Sequence, residues 1–145
     1  MSERRLRDIL LVDDNPGDVR LTREALKESG VPGALSVAGD GEQALAFLRR
    51  VGAHAAAPRP DLVVLDLNLP RVNGRQVLAA LAADPALRDI PVVVLTTSKA
   101  DRRALRTHEG PLYRYVVKPR ELDEFVAVIR GLEEFWRAAT RSARP

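Results

Sequence analysis

No cysteine occurs among the 145 residues, and its absence excludes a disulfide framework, a thiol nucleophile and a thiolate metal site. Histidine is scarce as well: His54 and His108 stand in unrelated segments without ligand spacing, which argues against zinc. Long apolar runs are missing, so nothing in the chain reads as a membrane span. The charged start gives way to an apolar stretch that stops at Asp13 and Asp14, too early for a secretory h-region. The chain is therefore expected to work in the cytoplasm, without a membrane partner. A net charge of +3 and an isoelectric point near 9.8 come from arginines interleaved with acids, not from a basic patch beside a recognition motif. The densest basic stretch, 137–144, reads as a solvated helix end, and no nucleic-acid partner is expected.

What is present suits one globular domain, with apolar residues at 46% and charged residues at 30%. Short β-branched runs at 9–12, 35–38, 62–67, 92–95 and 115–117 alternate with segments of helical period at 19–29, 42–51, 74–83, 99–106 and 121–140. This alternation predicts a parallel sheet covered by helices. Central strands that are apolar throughout fit burial on both faces. The expected fold class is α/β, a flavodoxin-like doubly wound sheet of five parallel strands with five helices, spanning 1–145 as a single domain. Residues 53–60, rich in alanine and proline, read as a surface loop. In such a sheet the ligand crevice opens at the carboxyl ends of the strands.

The residues that end the strands carry chemistry. Asp13 and Asp14 follow the first, Asp66 lies at the end of the third, Thr96 follows the fourth and Lys118 the fifth. Three carboxylates gathered in a crevice repel one another and call for a cation to hold them ionised. Hard oxygen ligands with room for phosphate oxygens suit Mg²⁺, or Mn²⁺ in its place. A carboxylate beside a divalent metal, a hydroxyl and an ammonium suits a phosphoryl acceptor, because the equatorial oxygens of the transferring group need positive charge and donors. Asp66 is then the nucleophile, Lys118 neutralises developing charge, and the Thr96 hydroxyl donates to a phosphoryl oxygen. Singly, each residue has a plain alternative: turn carboxylates at Asp13 and Asp14, a backbone-bonded hydroxyl at Thr96, a solvated lysine at Lys118.

Four motifs stand in register: VDDNP at 12–16, VVLDLNLPRVNG at 63–74, VVLTTS at 93–98 and YVVKP at 115–119. Over nearly its whole length the chain resembles the bacterial response-regulator receivers of two-component systems. The resemblance implies a signalling switch, not a turnover enzyme, with slow autodephosphorylation and a sensor histidine kinase as phosphodonor. It implies Asp66 as phosphoacceptor, Asp14 as a direct metal ligand, Asp13 acting through metal-bound water and the backbone carbonyl of Asn68 as a further ligand. Thr96 and Tyr115 resemble the family's switch pair, with Tyr113 competing for the second place, and Lys118 is the implied phosphoryl contact. The peptide bond between Lys118 and Pro119 resembles the family's cis bond. The LTTS segment, the loop before the third strand and the long last helix are similar to the regulators that partner bacterial phytochrome kinases, implying a light-sensing pathway.

The chain stops shortly after the last helix, so no output domain is expected; a phosphorelay intermediate or phosphate sink is an alternative role. Receivers usually carry Gly-Ala where this chain has Pro111 and Leu112, a departure beside the family's usual output face. The last helix is expected to overreach the sheet, since 121–140 would be about 30 Å long. Leu132, Phe135 and Trp136 then form an apolar patch suited to a homodimer through this C-terminal helix. Two other classes are weighed. An aspartyl-phosphate phosphohydrolase of the haloacid-dehalogenase type needs an acid two residues after its nucleophile, where Asn68 stands. A nucleic-acid-binding module rests on the isoelectric point alone.

Overall fold

The computed structural model describes residues 6–31, 33–67, 69, 74–96 and 113–143. Its elements run β1 (Asp8–Val12), α1 (Pro16–Ser29), β2 (Ala34–Ala38), α2 (Gly41–Arg49), β3 (Leu62–Asp66), α3 (Gly74–Ala83), β4 (Val92–Thr96), β5 (Tyr113–Val117) and α4 (Leu122–Ala143). Every strand pairing is parallel and the order is β2-β1-β3-β4-β5. The expected doubly wound sheet is thus present, and its winding reverses between β1 and β3. The expected loop at 53–60 contains one short 3-10 turn, Gly52–His54. The helix expected over 99–106, together with His108, Pro111 and Leu112, lies outside the described residues. Among the described residues no helix is long and apolar enough to cross a membrane.

Local chemistry sets the helix ends. Asn15 caps α1, its Oδ1 accepting from the N–H groups of Gly17 at 2.8 Å and Asp18 at 3.2 Å, and Pro16 supplies the preset φ of a first helical residue. Asp40 caps α2 by accepting from Gln43 N at 2.8 Å. Alternation along the strands sends side chains to two cores. Leu10, Val12, Val63, Leu65, Val92, Val94 and Tyr115 meet α2 and α3 on one face. Ile9, Leu11, Leu62, Val64, Val93 and Leu95 meet α1 and α4 on the other. Gly74 is needed at the start of α3, because a Cβ there would stand 2.6 Å from Leu67 Cα and 2.9 Å from the Asp66 carbonyl oxygen. That close approach presses α3 onto the backbone at the end of β3.

Two expectations are corrected. The last helix does not leave its apolar end uncovered: Leu132 and Trp136 are 2% and 3% exposed and share a core with Leu6, Ala25 and Leu26, while Phe135 packs against that core partly buried. The helix runs beside α1 as well as the sheet, so α1 and the segment entering β1 cover what the sheet alone would not. Buried Glu133 ties this arrangement down, accepting the Leu6 N–H at 3.0 Å. The dimer surface inferred from those side chains is therefore interior to one chain. The peptide bond between Lys118 and Pro119 is trans, the form a tertiary amide favours by about 0.5–1 kcal/mol when nothing enforces the other.

Candidate functional site

β1 and β3 are neighbours at the reversal point, and their carboxyl ends bring the aspartates together. Asp13 extends β1, its N–H bonded to Ala38 O at 3.0 Å, and Asp66 is the last residue of β3. Asp13, Asp14 and Asp66 each offer a carboxylate oxygen, all within 4.8 Å of one another. Asp13 and Asp66 are buried while Asp14 faces solvent. Lys118 arrives from the edge, past the end of β5, its backbone N–H donating to Thr96 O at 2.7 Å. Its Nζ lies 2.8 Å from Asp66 Oδ2 and 3.4 Å from Asp13 Oδ2. Thr96 is fully buried at the end of β4. Strand alternation puts its side chain on the same face as Tyr115, which is buried opposite Val94, and as the partly buried Tyr113. Asn68 lies outside the described residues.

The electrostatics follow from this crowding. Burial pushes the Asp13 carboxyl up from 3.8 to about 6, against the opposing effects of the Asn15 N–H and the Lys118 charge; Asp66 and Asp18 push it further up. Burial works against the Lys118 ammonium, but the hydrogen bonds it donates to Asp18 and Asp66 and the charge of Asp13 outweigh it, and the pKa rises above that of an ordinary lysine. Lys118 is therefore cationic throughout the physiological range. A carboxyl whose folded pKa is raised favours folding below its unfolded pKa and loses that advantage as pH climbs to the folded value, here from 3.8 to about 6. A shift of that size corresponds to roughly 3 kcal/mol. Asp13→Asn is accordingly expected to stabilise the metal-free protein by about 2 kcal/mol at pH 7 and by far less at pH 4. Urea unfolding at the two pH values checks this, and an equal gain at both would contradict burial as the cause.

One member of the site is absent from the strand-end residues singled out by sequence. Asp18 Oδ2 lies 2.6 Å from Lys118 Nζ, nearer than either other carboxylate. In the sequence it looks like part of an Asn-Pro-Gly-Asp turn. The available signal was the cap at Asn15, which starts the helix at Pro16 and so places Asp18 in the first turn beside the strand ends.

A doubly wound parallel domain with an acidic cluster and a partly buried lysine at its reversal point defines a class of α/β proteins that bind ligands at strand ends. Within that class the chain belongs to the response regulator receiver domain family, which matches residues 9–130. It is a response-regulator signalling domain. It is 43% identical over 128 residues to response regulator Rcp1 of Synechocystis sp., covering 88% of this chain and 87% of that protein. The crystal structure of the phosphorylated cyanobacterial phytochrome response regulator RcpA superposes with a TM-score of 0.80 at 43% identity, covering 92% of this chain and 95% of RcpA. The Mn²⁺-bound form of Rcp1 gives 0.77 at 42% identity, with 90% and 94% covered.

Proposed function

We propose that this receiver accepts a phosphoryl group on Asp66 from the phosphohistidine of a sensor histidine kinase and serves as a reversible signalling switch. The observation that carries the reading is the buried Asp66 carboxylate, with an ammonium 2.8 Å away and two further carboxylates within 4.8 Å. Asp13, Asp14 and Asp66 are hard oxygen donors that fit Mg²⁺ or Mn²⁺, Asp13 through water and the Asn68 carbonyl as a further ligand. Such a cation would supply positive charge for the phosphoryl oxygens. The Mn²⁺-bound structure of Rcp1 supports this choice of ion.

In the transfer, an Asp66 oxygen bonds to phosphorus as the phosphorus–nitrogen bond of the donor breaks, and the departing imidazole keeps the electron pair and takes a proton from solvent. Lys118, held cationic by its surroundings, neutralises a phosphoryl oxygen. The Thr96 hydroxyl donates to another, and Tyr115, on the same face of the sheet, fills the space that the hydroxyl vacates. Phosphorylation thereby biases a two-state equilibrium that a downstream partner reads. Water reverses the modification slowly, without turnover of any other substrate.

The resemblance to RcpA supports a bacteriophytochrome as the kinase, and so a light-sensing pathway. Self-association through α4 belongs to this reading only with a surface other than Leu132 and Trp136, which the fold buries. The test is phosphotransfer from labelled histidine kinases of the same organism. Transfer should be fastest from the phytochrome kinase and should require Mg²⁺; faster transfer from an unrelated kinase would refute the pathway, and transfer in excess chelator the metal requirement.

A further inference from the structure

We infer that Asp18 is a positioning residue that takes over the Lys118 ammonium when a divalent cation enters the acidic pocket. The inference rests on the reading of Asp13, Asp14 and Asp66 as the cation's ligands. Lys118 Nζ has three carboxylate partners, Asp18 at 2.6 Å, Asp66 at 2.8 Å and Asp13 at 3.4 Å. Two of them belong to the group of three carboxylates that could hold a metal; Asp18 does not. A divalent cation on Asp66 and Asp13 repels an ammonium on the same oxygens. The ammonium then needs another partner or must be left unpaired in a pocket where the lysine side chain is only 13% exposed.

The first turn of α1 holds Asp18 ready for that task. Its N–H donates to Asn15 Oδ1 at 3.2 Å and its carbonyl accepts from Thr22 Oγ1 at 2.7 Å. An acid at the third position of a helix ordinarily reaches back to the N–H of the capping residue. Here the Asn15 N–H is already taken by Asp13 Oδ1 at 2.9 Å, so the Asp18 carboxylate engages the lysine instead. Strand alternation puts Asp13 and Asp66 on the sheet face that α1 covers, which is why this turn meets them. A plainer role as an acid near the positive end of a helix needs no contact with an ammonium.

The test is a double-mutant cycle read by calorimetric titration with Mn²⁺. Asp18→Asn should weaken Mn²⁺ binding about tenfold in the wild-type background, on the scale of one charge-assisted hydrogen bond. In the Lys118→Met background the same change should cost about twofold, the residue of screened charge alone. Asp18→Glu, which keeps the carboxylate, should retain most of the affinity. An equal loss in both backgrounds, or no loss in either, would overturn the inference. Absence of Mn²⁺ binding by the wild-type protein would instead overturn the metal-site reading on which it rests.

Discussion

Replacing Asp66 with asparagine is expected to abolish phosphorylation outright. Wild-type protein incubated with acetyl phosphate and Mg²⁺ should gain one phosphoryl group by intact-mass measurement, and Asp66→Asn should gain none. The amide has no anionic oxygen to form the bond, and it removes one of the three carboxylates within 4.8 Å that could hold the cation. The loss should be chemical, not structural. Asparagine has nearly the volume of aspartate, its Oδ1 can keep the 2.8 Å contact with Lys118, and a neutral group is easier to bury at this 3% exposed position. The variant should therefore melt at or above the wild-type temperature while failing to take up beryllofluoride. Uptake of a phosphoryl group at the wild-type rate would show that another residue is the acceptor.

Trp136→Ala is expected to lose about 3–5 kcal/mol of stability, the usual range for emptying a buried tryptophan site. For a chain of this size that corresponds to a fall in melting temperature of roughly 10 °C or more. Trp136 is 3% exposed in the core shared by Leu6, Ile9, Ala25, Leu26 and Leu132, one turn beyond the Glu133 that receives the Leu6 N–H. Its removal opens a cavity where α4, α1 and the start of β1 meet. Trp136→Glu should be worse, since it also buries an unpaired carboxylate. Had the residue sat on a dimer surface, the same substitutions would dissociate the protein and leave the protomer intact. A thermal melt combined with sedimentation separates the two outcomes, and a wild-type melting temperature in either variant would contradict the packing described.

Much of the fold is legible along the chain because its signals are local. β3 and β4 are buried at all five positions each, and a run that is apolar on both faces already says central parallel strand. Asp66 and Thr96 could be located for the same reason: each is the first polar residue after such a run, and strand ends in a doubly wound sheet face the ligand crevice. β5 is different. Its pattern is mixed, and it begins at Tyr113 because register with β4 pairs Val92 with Tyr113, a fact that only the neighbouring strand supplies. Likewise the spacing of Leu132, Phe135 and Trp136 shows that α4 has an apolar side without showing what covers it.

Among the described residues the sequence by itself determined the helices and strands, and with them the family and the strand-end aspartates, since periodicity, caps and polar breaks act over a few residues. Tertiary structure alone decided the partners. Glu133 is buried because Leu6, 127 positions away, needs an acceptor for its N–H. Asp18 is one of 20 acidic residues in the chain, and the cap at Asn15 places it in the first turn of α1 without showing what its carboxylate meets. It joins the site because the fold carries Lys118 across the sheet to within 2.6 Å of it, and an ion pair in a crevice depends on distance through space and on exclusion of water, neither of which is written in the order of neighbouring residues.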